Sequence, residues 1–160
     1  MEVTDCFSLT SKTYFDAIYL MDRYMLLETR ALVPGQLHVV GVTALVLASK
    51  MNEIHPLSIK TAYEKLAHRK IPMSGLLDRE KRFMDVLGWN LGSATAFDVA
   101  MTRLSQALPD NNNCKGKIAK LCELLCKAAA IDYETYSKQT PLLLGEAVFK
   151  AALEATRMTT

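Results

Sequence analysis

The stretch "ALVLASKMNEIHP", residues 44–56, decides how this chain reads. It runs apolar for five residues, passes through Ser49, and meets Lys50, Asn52 and Glu53 together. Upstream, from about Leu37, no charge appears before Lys50, so the segment is apolar nearly all round. Such a helix belongs at the centre of a bundle rather than on its surface, and His38 within it reads as a hydrogen-bonded core residue. Its polar end has two readings. It is either the solvated end of a buried helix, with Lys50 complementing the C-terminal dipole, or a docking surface.

Around this helix the breakers fall at regular intervals, and the segments between them show helical rather than alternating periodicity. The first helix follows Ser8-Leu9-Thr10 and places Tyr14, Ala17, Ile18, Met21, Tyr24 and Met25 on one face as far as Leu27. "VPGQ" (33–36) reads as a turn. Ser58 caps a short helix to about His68, and Ser74 caps another that Gly88 stops. "NLGSAT" (90–95) is the strongest internal boundary, after which Thr95 caps a helix to Leu108. Residues 109–116 form a loop. Ile118, Leu121, Cys122, Leu125, Ala128 and Ala129 line the next helix, and Pro141 sits in the first turn of the last one. No strand is expected, so the class is all-α. A faint repeat pairs "GVTALVLASK" from Gly41 with "GEAVFKAALEA" from Gly145, each a Gly-led, Ala-rich apolar helix.

Glu80 is the most informative single residue. Leu76, Leu77, Phe83, Met84 and Leu87 form one stripe at helical spacing, and Glu80 lies in its middle; Asp78, Arg82 and Asp85 face the other way. A carboxylate there requires a cation or hydrogen-bond donors, and Lys50 is the best candidate. From the residues alone the pair is either a tie between two helices or a polar grip within an apolar docking patch.

Composition bounds the alternatives. At 160 residues, half of them hydrophobic, the chain suits one large domain or two small ones. A net charge of +2 argues against bulk electrostatic binding to nucleic acid or membrane. The longest charge-free run, Ala31 to Ser49, is interrupted by Pro34, Gly35, Gln36 and His38, and its helical part is shorter than the roughly 20 residues of a membrane span. "MEVTDCFSLT" carries acids where a signal peptide needs a basic then apolar run, so the chain reads as intracellular. Cys6, Cys114, Cys122 and Cys126 suit reduced thiols there. Cys122 and Cys126 share a helix face but lack further ligands in sequence, so no metal is expected. The seven glycines form no phosphate cradle, and His38, His55 and His68 fall in no catalytic spacing. Neither catalytic residues nor a cofactor are expected.

At these residues the chain resembles the cyclins, most closely the mitotic A/B-type cyclin box. "LVLASKMNEIHP" is similar to the family's LASK-x-E-E-I-x-P motif, and "AIYLMDRYM" to its Asp-Arg-aromatic helix. "LLDREKRFMDVLGWNL" resembles the helix whose Glu lies near the kinase, and "AAAIDYETYSKQTPLLLGEAVFKAAL" resembles the second box. The resemblance covers essentially the whole chain. It implies one nearly complete first box (1–91) lacking most of its first helix, then a partial second box (92–160). The implied function is binding and activation of a cyclin-dependent serine/threonine kinase in the nucleus or cytoplasm. The implied kinase contacts are Lys50, Met51, Asn52, Glu53, Ile54, Glu80, Met84, Trp89 and Leu91. Asn52 stands where the family usually has Glu, a departure that bears on partner preference. The missing first helix implies no Arg-x-Leu substrate docking, and it leaves Asp22 without its usual structural arginine partner. The competing reading is a cyclin-fold transcription-factor module that binds DNA or polymerase-associated proteins. It draws on seven Lys/Arg against three acids in residues 60–82.

Overall fold

The computed structural model describes residues 6–109 and 114–158. Every regular element among them is helical: α1 (Ser11–Leu27), α2 (Pro34–Asn52), α3 (Ile59–Thr61), α4 (Met73–Val86), α5 (Ala96–Ala107), α6 (Lys115–Ile131), α7 (Tyr133–Lys138) and α8 (Pro141–Met158). A π-type turn over Ala62–Leu66 continues α3. The chain divides into two compact units, Met1–Gly92 and Ser93–Thr160.

In the first unit α2 is the central helix, with α1 and α4 packed on it and on each other. Its apolar circumference requires this, since Val39, Val40, Val42, Thr43, Ala44, Val46, Leu47, Ala48 and Ser49 are all buried. One cluster joins Leu20 and Tyr24 of α1, Val40, Ala44 and Leu47 of α2, and Phe83 and Leu87. Tyr24 and Phe83 stack with ring centres 3.9 Å apart. The other side of α2 packs Val39, Val42 and Val46 against Leu57, Ala62, Ala67 and Leu76.

Several helix ends differ from the expectations. "VPGQ" is not a turn: Pro34 occupies the first helical position, where its missing N–H costs nothing, so α2 starts three residues early. Ser74 does not cap α4, which begins at Met73 after Pro72. Ser58 does cap α3, its hydroxyl accepting from the Thr61 amide. That helix does not reach His68 as a regular α-helix, because the π turn intervenes and His68 and Arg69 take left-handed backbone angles. The face of α1 is rotated as well. Thr13, Phe15, Asp16, Leu20 and Tyr24 are the buried residues, because its N-terminal turn is held by polar contacts that a hydrophobic stripe does not register. His38 is exposed, not buried. The short α7 was not anticipated. The connection expected over 109–116 lies partly outside the described residues, and α6 already starts at Lys115.

The second unit packs α5, α6 and α8 pairwise, with α7 on α6. Thr95 caps α5 in a reciprocal capping box with Asp98. Ile118, Cys122 and Cys126 form the buried side of α6. Burial pushes the Cys126 thiol up to about 12, with the Cys122 and Glu123 charges adding to the shift. Gly145 is where α8 meets α5: a Cβ there would lie 2.6 Å from the Ala96 carbonyl oxygen and 2.6 Å from the Val99 Cβ. Gly145→Ala is therefore expected to lower stability by about 1–3 kcal/mol through overpacking, even though alanine favours a helix by about 1 kcal/mol. A thermal midpoint equal to or above that of the parent chain would contradict the close approach.

Candidate docking groove

The groove lies at the C-terminal end of α2, and three local features build it. The first is the end of α2 itself, which presents Leu47, Lys50 and Met51 on one side. The second is α4, whose apolar stripe turns Leu77 and Met84 toward them with Glu80 between. The third is the end of α4, closed by a Schellman motif in which the Trp89 amide donates to the Met84 carbonyl and the Gly88 amide to Asp85. Gly88 and Trp89 both have φ +60°. Arg23 donates to the Asn90 carbonyl and ties this turn back to α1. Trp89 and Leu91 complete a groove of about 440 Å³.

Lys50 Nζ donates to Glu80 Oε1 across 2.5 Å. The side chains remain 42% and 17% exposed, so the pair is neither sealed nor fully wet. Lys50 keeps two further N–H donors, and Glu80 a second carboxylate oxygen. Apart from Lys81, the remaining walls are apolar, with Trp89 72% exposed. Chemically, the groove offers a charged donor–acceptor couple framed by hydrocarbon.

Of the residues expected in a docking site, Lys50, Met51, Glu80, Met84, Trp89 and Leu91 line this one groove. Ile54 lies outside its lining, 92% exposed beyond the end of α2. Asn52 and Glu53 turn toward α1. Asn52 Nδ2 donates to Asp16 Oδ2 over 2.8 Å. Glu53 Oε1 accepts from the Thr10 amide, the Thr10 hydroxyl and the Thr13 hydroxyl. Burial alone would raise the Glu53 pKa, but those hydrogen bonds hold it below the usual carboxylate range. Asp22 is half-buried without a hydrogen bond or ion pair among the described residues, and desolvation pushes its pKa up. Leu47 and Lys81 also line the groove. Nothing in the helical periodicity marked either, whereas Leu77 was legible as a member of the α4 stripe.

Behind the groove lies a second polar network with no local sequence signal. Glu28, with a side chain 1% exposed, accepts two hydrogen bonds from the Arg82 guanidinium at 2.7 and 2.9 Å. The Tyr24 hydroxyl donates to Glu28 and accepts from Arg79. Arg82 thus faces a buried carboxylate rather than open solvent, and the basic segment 60–82 has both Arg79 and Arg82 already engaged. The Arg82 fork holds the Glu28 carboxyl at about 2, helped by Tyr24 and the Arg30 amide and opposed by burial. This carboxyl is depressed from 4.5. Its stabilising effect is complete above the unfolded value and fades as pH falls toward about 2. Arg82→Leu should therefore move acid unfolding to higher pH, as followed by circular dichroism. An unchanged acid midpoint would count against the linkage.

Residues 1–92 match the family model of the cyclin N-terminal domain. Cyclin-B2-2 of Arabidopsis thaliana is 28% identical over 151 residues, covering 94% of this chain and 33% of the relative. Bovine Cyclin-A2 is 27% identical over 153 residues, covering 96% and 34%. The G2/mitotic-specific cyclin S13-7 of Glycine max is 26% identical, covering 94% and 56%. The chain thus spans about a third to somewhat over half the length of these relatives. A viral cyclin from herpesvirus saimiri superposes with a TM-score of 0.78 at 17% identity, over 96% of this chain and 65% of the viral one.

Proposed function

Because this chain belongs to the cyclin family, we propose that it binds and activates a cyclin-dependent serine/threonine kinase in cell-cycle control, through the groove at the end of α2. The carrying observation is the Lys50–Glu80 couple between Leu77, Met84 and Trp89. Partly desolvated charges framed by apolar walls suit a partner helix end, whose backbone carbonyls and amides can be gripped while its side chains fill the walls. The contact would fall beside the kinase's regulatory C-helix. Activation then consists of positioning, and the chemistry stays with the kinase. The first unit corresponds in this reading to a first cyclin box, and the second to a partial second box. Ile54 extends the patch beyond the groove. Asn52 and Glu53 act differently from the other docking residues, by fixing the angle between the α2 end and α1.

No described helix is long and apolar enough to cross a membrane, in keeping with a nuclear or cytoplasmic partner. The test is reconstitution with a purified monomeric cyclin-dependent kinase. A saturable complex and a rise in substrate phosphorylation are expected. An activating interface should bury at least the roughly 1,600 Å² of a standard complex. If no kinase complex forms while duplex DNA binds with a steep salt dependence, the transcription-factor reading replaces this one.

A further inference from the structure

The longest uninterrupted run of exposed residues among those described covers 137–143, seven in a row. It spans the connection between α7 and α8, Gln139 and Thr140, together with the end of α7 and the first turn of α8. At its centre stands the dipeptide Thr140-Pro141. The five prolines of the chain follow Val33, His55, Ile71, Leu108 and Thr140, so a hydroxyl residue precedes proline only here. We infer that Thr140 is a phosphorylation site for a proline-directed serine/threonine kinase, and that the phosphate formed there caps α8. This site belongs to the second unit and owes nothing to the docking groove or to the kinase that would bind it.

A kinase takes its acceptor through a cleft as extended chain, so several consecutive residues must be free of packing. The run 137–143 is where this chain offers them. Thr140 lies outside both helices, and a residue before proline is disfavoured in the α region and held extended. Opening the first turn of α8 disturbs no core, because the first buried residue of that helix is Gly145 and weakly packed ends fray readily. The Thr140 hydroxyl accepts from the Leu143 amide at 3.3 Å, which leaves its proton and a second lone pair for the reaction. Proline has no amide hydrogen, so a pocket with no acceptor at that position receives Pro141 and would strand the amide of any other residue. In the transfer, Thr140 Oγ1 bonds to the γ-phosphorus of ATP as the bond from that phosphorus to the β–γ bridging oxygen breaks. ADP leaves, and the hydroxyl proton passes to the kinase's base.

The product sits at a helix start that has no anionic cap. The first turn of α8 contains no acidic residue, and the only cap is the long bond from the Leu143 amide to the Thr140 hydroxyl. A phosphate there carries about −1.5 to −2 charges and strong acceptor oxygens. It can accept from the Leu142 and Leu143 amides, and the helix dipole favours its charge. Glu146, the first acid along α8, is paired with Arg103 of α5, which tempers its repulsion.

The test is incubation of the folded full chain with ATP and a purified mitogen-activated protein kinase, which is proline-directed and active without this chain. Near-stoichiometric phosphate is expected, mapped to Thr140 by tandem mass spectrometry. Thr140→Ser keeps both hydroxyl and cap and should be labelled like the parent. Thr140→Ala and Pro141→Ala, folded by circular dichroism, should each lower the initial rate by at least about tenfold. The phosphorylated chain should melt about 2–4 °C higher than the unmodified one. No phosphate on Thr140, equal labelling of Thr140→Ala, or indifference to Pro141→Ala would each overturn the assignment. Labelling only after heat denaturation would overturn it too, since the native fold would then not present the site. A midpoint unchanged or lowered by the phosphate would overturn the capping role.

Discussion

Replacing Lys50 by alanine is expected to leave the fold nearly intact and to weaken kinase association by roughly 2–5 kcal/mol, the range for truncating a buried charged contact across an interface. The separation of the two effects rests on solvent. With the Lys50 side chain 42% exposed and that of Glu80 17% exposed, water can still reach the couple in the free chain. The folding cost should then be about 1 kcal/mol or less, as for other accessible pairs. When a partner covers the groove, that water leaves and a missing ammonium strands Glu80. A sealed structural bridge would behave in the opposite way, losing about 3–5 kcal/mol of folding stability on the same change. Thermal unfolding and kinase titration of Lys50→Ala and Glu80→Ala separate the two. A large loss of stability with unchanged binding by the remaining folded molecules would falsify the docking role.

Phe83→Ala should be the most damaging single change to the first unit, at about 3–5 kcal/mol for a fully buried aromatic. Phe83 has no exposed surface and stacks on Tyr24 within the cluster shared by α1, α2 and α4. That ring pair contributes about 0.5–1.5 kcal/mol beyond area burial. Losing it also frees Tyr24, whose hydroxyl bonds to Glu28, so the Arg82 clamp loosens with it. A fall of less than about 1 kcal/mol in urea unfolding would mean that α4 is not anchored through this ring.

The parts of this molecule that were legible in sequence are those governed by period and punctuation. The charge-free run before Lys50 announced a central helix, and the Glu80 stripe announced an inward carboxylate in need of Lys50. The run and the stripe each follow from residues a few positions apart on one helix, whereas the choice of Lys50, 30 positions from Glu80, rested on its place at the end of the most apolar helix. What stayed hidden depends on distant partners. Glu28 and Arg82 are 54 positions apart, and neither breaks a local pattern. Glu53 looked like a free docking acid until the fold brought Thr10 and Thr13 to it. The α2 start was missed for a different reason: Pro34 suits both a turn and a first helical position, and only the chain before it decides between them.

The turn after α4 has a further meaning for how such a chain diverges. Trp89 sits at φ +60°, where glycine or asparagine is comfortable and a tryptophan is disfavoured by about 1–2 kcal/mol. Its ring is mostly in water, so burial does not compensate for this. Trp89→Gly should thus make the free chain more stable, measurably so in a thermal melt. Drift under selection for stability alone would remove the tryptophan within few steps. A lineage that keeps an aromatic there is being held by something outside the folded monomer. Sequences of nearby descendants with glycine at this position would mark the ones in which that outside constraint has lapsed.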